Sequence, residues 1–311
     1  MTYDTINDAK TALGDAEGEG YAYSRVRAAL VAATLAFAAL AGGGCWWIAG
    51  REGPKATERT KEHVGPKHGD RKTQTLTLPG GATMEMIYCG PGDYVYGDDN
   101  TPKKMDHGFW LGKCEVTQSQ WRKMVSALGL SGRFRDDQGN IKDPSPNWNG
   151  DDLPMDSVSW NDCKVLIDAL NRIPEYKGCN FRLPSEYEWE YACRAGTKGL
   201  YARPDLDNLT AEHPNSVAAL DDMGWYRGNS GGKTHNVGQK RANDWGFCDM
   251  HGNVLEWCED KIYDESGDSR VLRGGCWFDL ARYCRSAYRD RYDPGYRLDG
   301  CGFRLCCSAL P

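Results

Sequence analysis

No two cysteines stand at the C-x-x-C spacing of a zinc ribbon, although the chain carries 13 of them. The six histidines (His63, His68, His107, His213, His235, His251) are scattered along the chain and propose no metal cluster. No segment repeats at a period of about 20–50 residues, which sets aside solenoids and propellers. No basic stripe occurs and the net charge is -6, so no nucleic-acid partner is expected. One further absence is local. The 24 residues from Phe278 to Cys301 contain no Lys, Glu, Gln, Met or Trp, types that make up 55 of the 311 residues. A window of average composition would hold about four of them.

What is present is ordinary globular composition, 40% hydrophobic and 26% charged, enough for one large domain and a short extra segment. The 37 glycines and 11 tryptophans point to a loop-rich fold held by aromatic packing. Residues 1–24 are polar and acidic and are expected to be a disordered tail. The run AALVAATLAFAALAGGGCWWIA has no charge until Arg51. Its length suits a bilayer, and residues 25–49 are expected to form a single-pass transmembrane helix or signal anchor, with Trp46 and Trp47 at the interface. Lipidation at Cys45 is the alternative. Arg25 and Arg27 precede the run and Arg51, Lys55, Arg59 and Lys61 follow it, so charge leaves the orientation open; the domain is expected outside the cytoplasm. Residues 50–75 read as a linker and 76–311 as the folded domain. Its twelve cysteines are disulfides in an oxidising compartment, or small buried hydrophobes in a reducing one.

LTLPGGATMEMIYCGPGDYVYG reads as two short strands with Gly-Pro turns. FWLGKCEVTQSQWRKMVSALG reads as a strand entering a helix capped by Thr117, and SVSWNDCKVLIDALNRI as a helix capped by Ser159 or Asn161. In RLPSEYEWEYACRAG, Ser185 and Glu188 form a capping box. Two or three helices among short strands and long loops make an α+β domain.

Six blocks follow in order: CEVTQSQW (114–121), DSVSWNDC (156–163), RLPSEYEWEYACRAG (182–196), NDWGFCDMHGNVLEW (243–257), RVLRGGCW (270–277) and GFRL (302–305). They resemble the formylglycine-generating enzyme, or sulfatase-modifying factor, family over roughly 76–311. The resemblance implies a variant of the C-type-lectin fold. Catalytic members use two cysteines, spaced C-x-x-x-x-C shortly after an R-G-G-S element, as thiolate ligands of Cu(I). Here Asp279 occupies the first of those positions, the segment before CRSA is too short for the second, and Cys276 replaces the serine. Cys301 and Cys306 have the spacing but overlap GFRL. Iron-dependent relatives carry three histidines on a separate helical domain, which this chain lacks. Neither copper nor iron, and no catalytic residue, is therefore expected. The resemblance also implies a structural Ca²⁺ held by the side chains of Asp249 and Glu256 and the carbonyls of Gly252 and Val254; a hydrogen-bonded turn without an ion is the alternative. Cys193 and Cys284 match positions that are disulfide-bonded in some relatives, or else they are two reduced neighbours.

In one subset of that family a diversity-generating retroelement rewrites the C-terminal segment, randomising adenines mostly within AAY codons. The NNY codons that result cannot encode the five types missing from Phe278–Cys301. By this resemblance, 277–301 is a variable binding segment between fixed points RGG-W, CRSA and GFRL. Its expected ligand-binding residues are Trp277, Phe278, Asp279, Tyr283, Tyr288, Asp290, Tyr292, Tyr296 and Asp299, gathered mostly on one exposed face, with Arg273, Gly274, Gly275, Arg285 and the GFRL strand buried or hydrogen-bonded beneath them. Tyrosine and arginine supply contact area and forked hydrogen bonding at modest entropic cost. The function expected is a membrane-tethered protein that binds a protein or glycan ligand without catalysis. The alternative is an oxidoreductase of the sulfatase-modifying class with an altered site. Titration of the folded chain with Cu(I) is expected to show no tight stoichiometric binding, and a cysteine-containing sulfatase peptide is expected to stay unoxidised; an aldehyde product would establish the alternative.

Overall fold

Three helices begin where a hydroxyl side chain can bond back to the third helical N–H. In the computed structural model, which describes residues 72–136, 138–206, 214–264 and 267–311, helix α1 (Gln118–Ala127) starts from a capping box of Thr117 with Gln120. Helix α2 (Trp160–Leu170) starts from Ser159 with Asp162, and helix α3 (Glu186–Arg194) from Ser185 with Glu188. Each box satisfies backbone donors that the first turn leaves unpaired. A fourth helix, α4 (Pro214–Met223), exceeds the two or three expected. The predicted tail, the membrane run at 25–49 and Cys45 lie outside the described residues. Among those described, no helix is long and apolar enough to cross a membrane.

The domain starts earlier than expected. Strand β1 (Thr73–Leu78) lies partly in the predicted linker because it pairs antiparallel with β2 (Ala82–Cys89) from Thr73↔Ile87 to Leu78↔Ala82. Its alternation puts Leu76 and Leu78 in the core and its threonines outside. A third strand, β3 (Gly92–Tyr96), follows where two were expected and forms a hairpin with β4 (Thr101–Met105). Strand β5 (Phe109–Gly112) joins β2, and β10 (Cys306–Cys307) closes a sheet of order β1-β2-β5-β10. The second sheet contains β6 (Leu255–Asp264), β7 (Gly267–Arg273), β8 (Arg289–Tyr292) and β9 (Cys301–Gly302), in the order β8-β7-β6-β9. The architecture is α+β, as expected.

A buried arginine ties the two sheets. Arg304 and Glu256 are each fully buried and make a two-pronged pair, Nη2 to Oε1 at 2.7 Å and Nε to Oε2 at 2.9 Å. The remaining Arg304 donors reach the carbonyls of Gly112, Lys113 and Cys248, and Trp189 Nε1 donates to Glu256 Oε2 at 2.8 Å. The guanidinium therefore meets β6 of one sheet and the end of β5 in the other. Removing one partner of such a pair strands a buried charge, which destabilises by about 3–5 kcal/mol. Arg304→Met is expected to lose stability of that order in urea unfolding, and Arg304→Met with Glu256→Gln to lose markedly less. Equal losses would mean that the charge pair does not hold the sheets.

Candidate functional site

The segment of missing residue types is fastened at both ends. Strand β7 delivers Arg273, which is fully buried and donates to the carbonyls of Ala287 and Tyr288 and to Glu190. Gly275 follows at φ +72, and a Cβ there would meet Tyr283 O at 2.6 Å and Cys284 Sγ at 2.8 Å, so the turn requires glycine. The chain loops through a short 3-10 turn (Ala281–Tyr283) and returns as the sheet-edge strand β8, paired with β7 from Arg270↔Tyr292 to Arg273↔Arg289. It ends on β9, which runs parallel to β6 through Leu255↔Cys301.

Three more arginines hold the interior of the segment. Arg285 grips Asp98 with Nη2 at 3.0 Å, and Arg289 reaches Glu186 at 2.8 Å. Arg297 grips Asp162, the capping-box residue of α2, at 2.6 and 2.7 Å. Glu190 is itself bound by Arg194 at 2.7 Å. The expectation of a fixed frame matches the burial of Arg273, Gly274 and Gly275 and the hydrogen bonds of the half-buried Arg285 to Asp98.

Of the nine expected ligand-binding residues, Asp279 is displaced from the surface. It is 7% exposed, its Oδ2 accepts from Cys276 N at 3.1 Å, and Cys276 Sγ lies 3.2 Å away. The carboxylate closes its own turn, because Asp279 N also donates to Cys276 O. The other eight are half-buried and not fully exposed. Two ring pairs bring four together: Tyr283 with Tyr288, tilted with centroids 5.1 Å apart, and Tyr292 stacked on Tyr296 at 5.4 Å. Tyr292, Trp277 and Phe278 also lean on the main core. Along β8, Asp290 and Tyr292 are half-buried while Arg289 and Arg291 are exposed.

The structure adds residues that the expectations did not include. Trp148, from the loop before α2, meets Trp277 edge-on at 5.1 Å. Its neighbour Asn147 donates from Nδ2 to Asp299 Oδ2 at 2.9 Å. Trp277 Nε1 donates to Asp299 O at 3.1 Å. Asp156 lies next to this group, because Ser157 N bonds Leu298 O at 3.2 Å. The signal for Trp148 was present in sequence: PSPNWNG (144–150) is a run of turn-forming residues with one large aromatic in it.

The four residues expected around Ca²⁺ share one buried stretch, 249–256. Both Glu256 oxygens face Arg304, with Trp189 on one of them, so a divalent cation there would meet a guanidinium. Asp249 Oδ2 accepts from Gly238 N at 2.6 Å, while its Oδ1 is buried without a hydrogen-bond partner. Of the two alternatives for Cys193 and Cys284, the structure has reduced thiols, both free and buried. His251 sits between them, with Nε2 3.8 Å from Cys193 Sγ and accepting from Ala202 N at 3.1 Å, and with Nδ1 at 2.8 Å from Cys284 O. That pattern fixes a neutral ring protonated on Nδ1, and burial pushes its pKa down to about 4. All twelve described cysteines are free, and all but Cys114 are buried. Burial holds the Cys276 thiol well above its ordinary range. Cys301 and Cys306 belong to different sheets, so their C-x-x-x-x-C spacing does not make a thiolate pair.

A family model, the sulfatase-modifying factor enzyme 1-like domain, matches residues 61–309. The chain is 27% identical to a protein of Paenibacillus barcinonensis described as chaperone protein LppX, over 60% of this chain and 75% of that one. It is 32% identical to the inactive C-alpha-formylglycine-generating enzyme 2 of Bos taurus, over 51% of each; it thus spans about half the length of that relative. Among solved structures, variable protein 1 of Treponema denticola superposes with a TM-score of 0.58 at 26% identity, covering 77% of this chain and 99% of that one.

Asp156 yields a pH test. Its pKa is raised from 3.8 to about 7, chiefly by burial and further by the charge of Asp299. A raised acid pKa favours the folded state at low pH. That contribution is intact below 3.8 and is lost as pH rises to about 7. Asp156→Asn removes the dependence, so its stability relative to the parent is expected to grow by at most about 1.4 kcal/mol per pH unit across that window. Asp249, raised to about 6 by burial, and His251 contribute to both chains alike and cancel in the difference. Melting curves of both chains from pH 4 to about pH 8 check this; a constant difference would mean that Asp156 titrates normally.

Proposed function

The chain belongs to the sulfatase-modifying factor enzyme 1-like family, and we propose that within it this protein is a non-catalytic receptor that presents the 277–301 segment to a protein or glycan ligand. The observation that carries this reading is the division between frame and surface. Arg273, Gly275, Cys284 and the GFRL strand are buried and held by hydrogen bonds or close packing. The aromatics, the arginines and, apart from the buried Asp279, the aspartates between them are half-buried or exposed. A backbone that keeps its shape while its side chains vary needs that separation, because surface substitutions usually shift stability by less than about 0.5 kcal/mol. Likeness to the Treponema denticola variable protein and to an inactive formylglycine-generating enzyme supports the same reading. Asp279 stands where a copper enzyme of the family would need a thiolate, and it is committed to Cys276.

The proposal includes a tether. The apolar run at 25–49 anchors the chain in a membrane as a single pass, or Cys45 carries a lipid, and the domain lies outside the cytoplasm. Likeness to LppX is compatible with that placement. The ligand meets tyrosines and tryptophans whose rings already pack against one another, so little side-chain entropy is lost on binding.

Serine substitutions separate surface from core. Tyr288→Ser with Tyr296→Ser is expected to leave the melting temperature nearly unchanged. Tyr292→Ser, which leans on the core, is expected to lose about 1–3 kcal/mol, and Gly275→Ala more than either. Unfolding of the Tyr288/Tyr296 variant would place those rings in the core and end the binding-surface reading. Sequencing the DNA beside the gene tests diversification directly. A reverse-transcriptase gene with a near-copy of the 3′ end, carrying adenines at the interior codons, is the expected result.

A further inference from the structure

We infer that the Asp156–Asp299 end of this surface receives a basic side chain, arginine or lysine, of a protein partner; the inference rests on the binding-surface reading above. Asp156 is fully buried, and its Oδ1 accepts from Ser157 Oγ at 2.8 Å. Its Oδ2 is buried and has no hydrogen-bond partner. An unsatisfied buried oxygen is destabilising unless something outside the chain supplies a donor. The backbone holds this residue where it is. Met155 O lies 2.6 Å from where a Cβ on Gly302 would stand, and Ser157 N bonds Leu298 O. The segment 298–302 is thereby laid against 155–157, which brings Asp299 beside Asp156.

Two carboxylates held together disfavour their ionised forms, and burial raises the pKa of both. The arginines of the segment that pair at carboxylates do so elsewhere: Arg285 with Asp98, Arg289 with Glu186 and Arg297 with Asp162. Asn147 meets both carboxylates, its backbone N–H facing Asp156 and its exposed side chain bonded to Asp299. A guanidinium or ammonium entering here would replace that bond, supply a donor to Asp156 Oδ2 and neutralise the repulsion. A sugar hydroxyl would give a hydrogen bond but no charge, which favours a protein ligand over a glycan.

The walls suit the same chemistry. Trp277 stands edge-on to Trp148 at 5.1 Å and to Phe278 at 4.8 Å, and its indole N–H is fixed on Asp299 O. Aromatic rings attract cations over their faces, and a flat guanidinium can lie on a ring while its donors reach carboxylates.

The test uses the full chain in a neutral detergent, with tryptophan indoles labelled by ¹⁵N. The Trp148 and Trp277 signals are assigned from Trp148→Phe and Trp277→Phe. Nα-acetyl-arginine methylamide is expected to shift both signals saturably, while the citrulline analogue, equal in shape but neutral, binds at least about tenfold more weakly. Asp299→Asn, which keeps an acceptor for Asn147, is expected to weaken the arginine probe by about tenfold. Equal binding of the two probes overturns the inference, as does unchanged arginine binding by a folded Asp299→Asn chain. Should that variant not fold, the comparison of probes on the parent chain decides. Shifts from neither probe overturn the cation assignment alone, because the binding-surface reading is judged separately by the tyrosine variants.

Discussion

Everything at the C-terminal surface depends on one buried guanidinium. Arg304 has five N–H donors, and all five are used within the protein, two on Glu256 and three on carbonyls of Gly112, Lys113 and Cys248. Taking that charge out of water is favourable only because every donor is met. The same requirement fixes where β5, β6 and the 248 loop stand relative to each other. Cys301–Gly302 pairs with β6 and Cys306–Cys307 with β5, so Arg304 lies between two short strands that reach different sheets.

From that frame the variable-looking segment hangs on arginine clamps. Arg273 binds the segment's own backbone carbonyls, Arg285 and Arg289 reach outward to Asp98 and Glu186, and Arg297 reaches the capping box of α2. Each clamp ends on a group other than the segment's aromatic side chains, so a tyrosine can be exchanged without unfastening the loop. The exceptions are Trp277, Phe278 and Tyr292, which lean on the core; substitution at these positions costs core packing.

Buried polar groups fall into two kinds. His251 is satisfied at both nitrogens and has no spare capacity for a ligand. Asp156 is satisfied at one oxygen only. Their pH signatures oppose each other. Stability from neutral His251 is present above its ordinary value of 6.5 and is lost as pH falls to about 4, whereas the contribution of Asp156 is lost as pH rises to about 7.

Local chemistry was legible in the chain itself. Three helix starts followed from Thr117, Ser159 and Ser185 with their partners three residues on, and the order of six blocks marked the family. These signals act over a few residues, or are read as patterns, and do not depend on which distant elements meet. Tertiary structure decided the rest. The partner of Glu256 is 48 residues away at Arg304, Asn147 meets Asp299 across 152 positions, and Asp279 turns inward because Cys276 offers its amide there. No periodicity encodes such meetings. They arise when the packing of two sheets leaves a buried charge or oxygen that only a residue from elsewhere in the chain can satisfy.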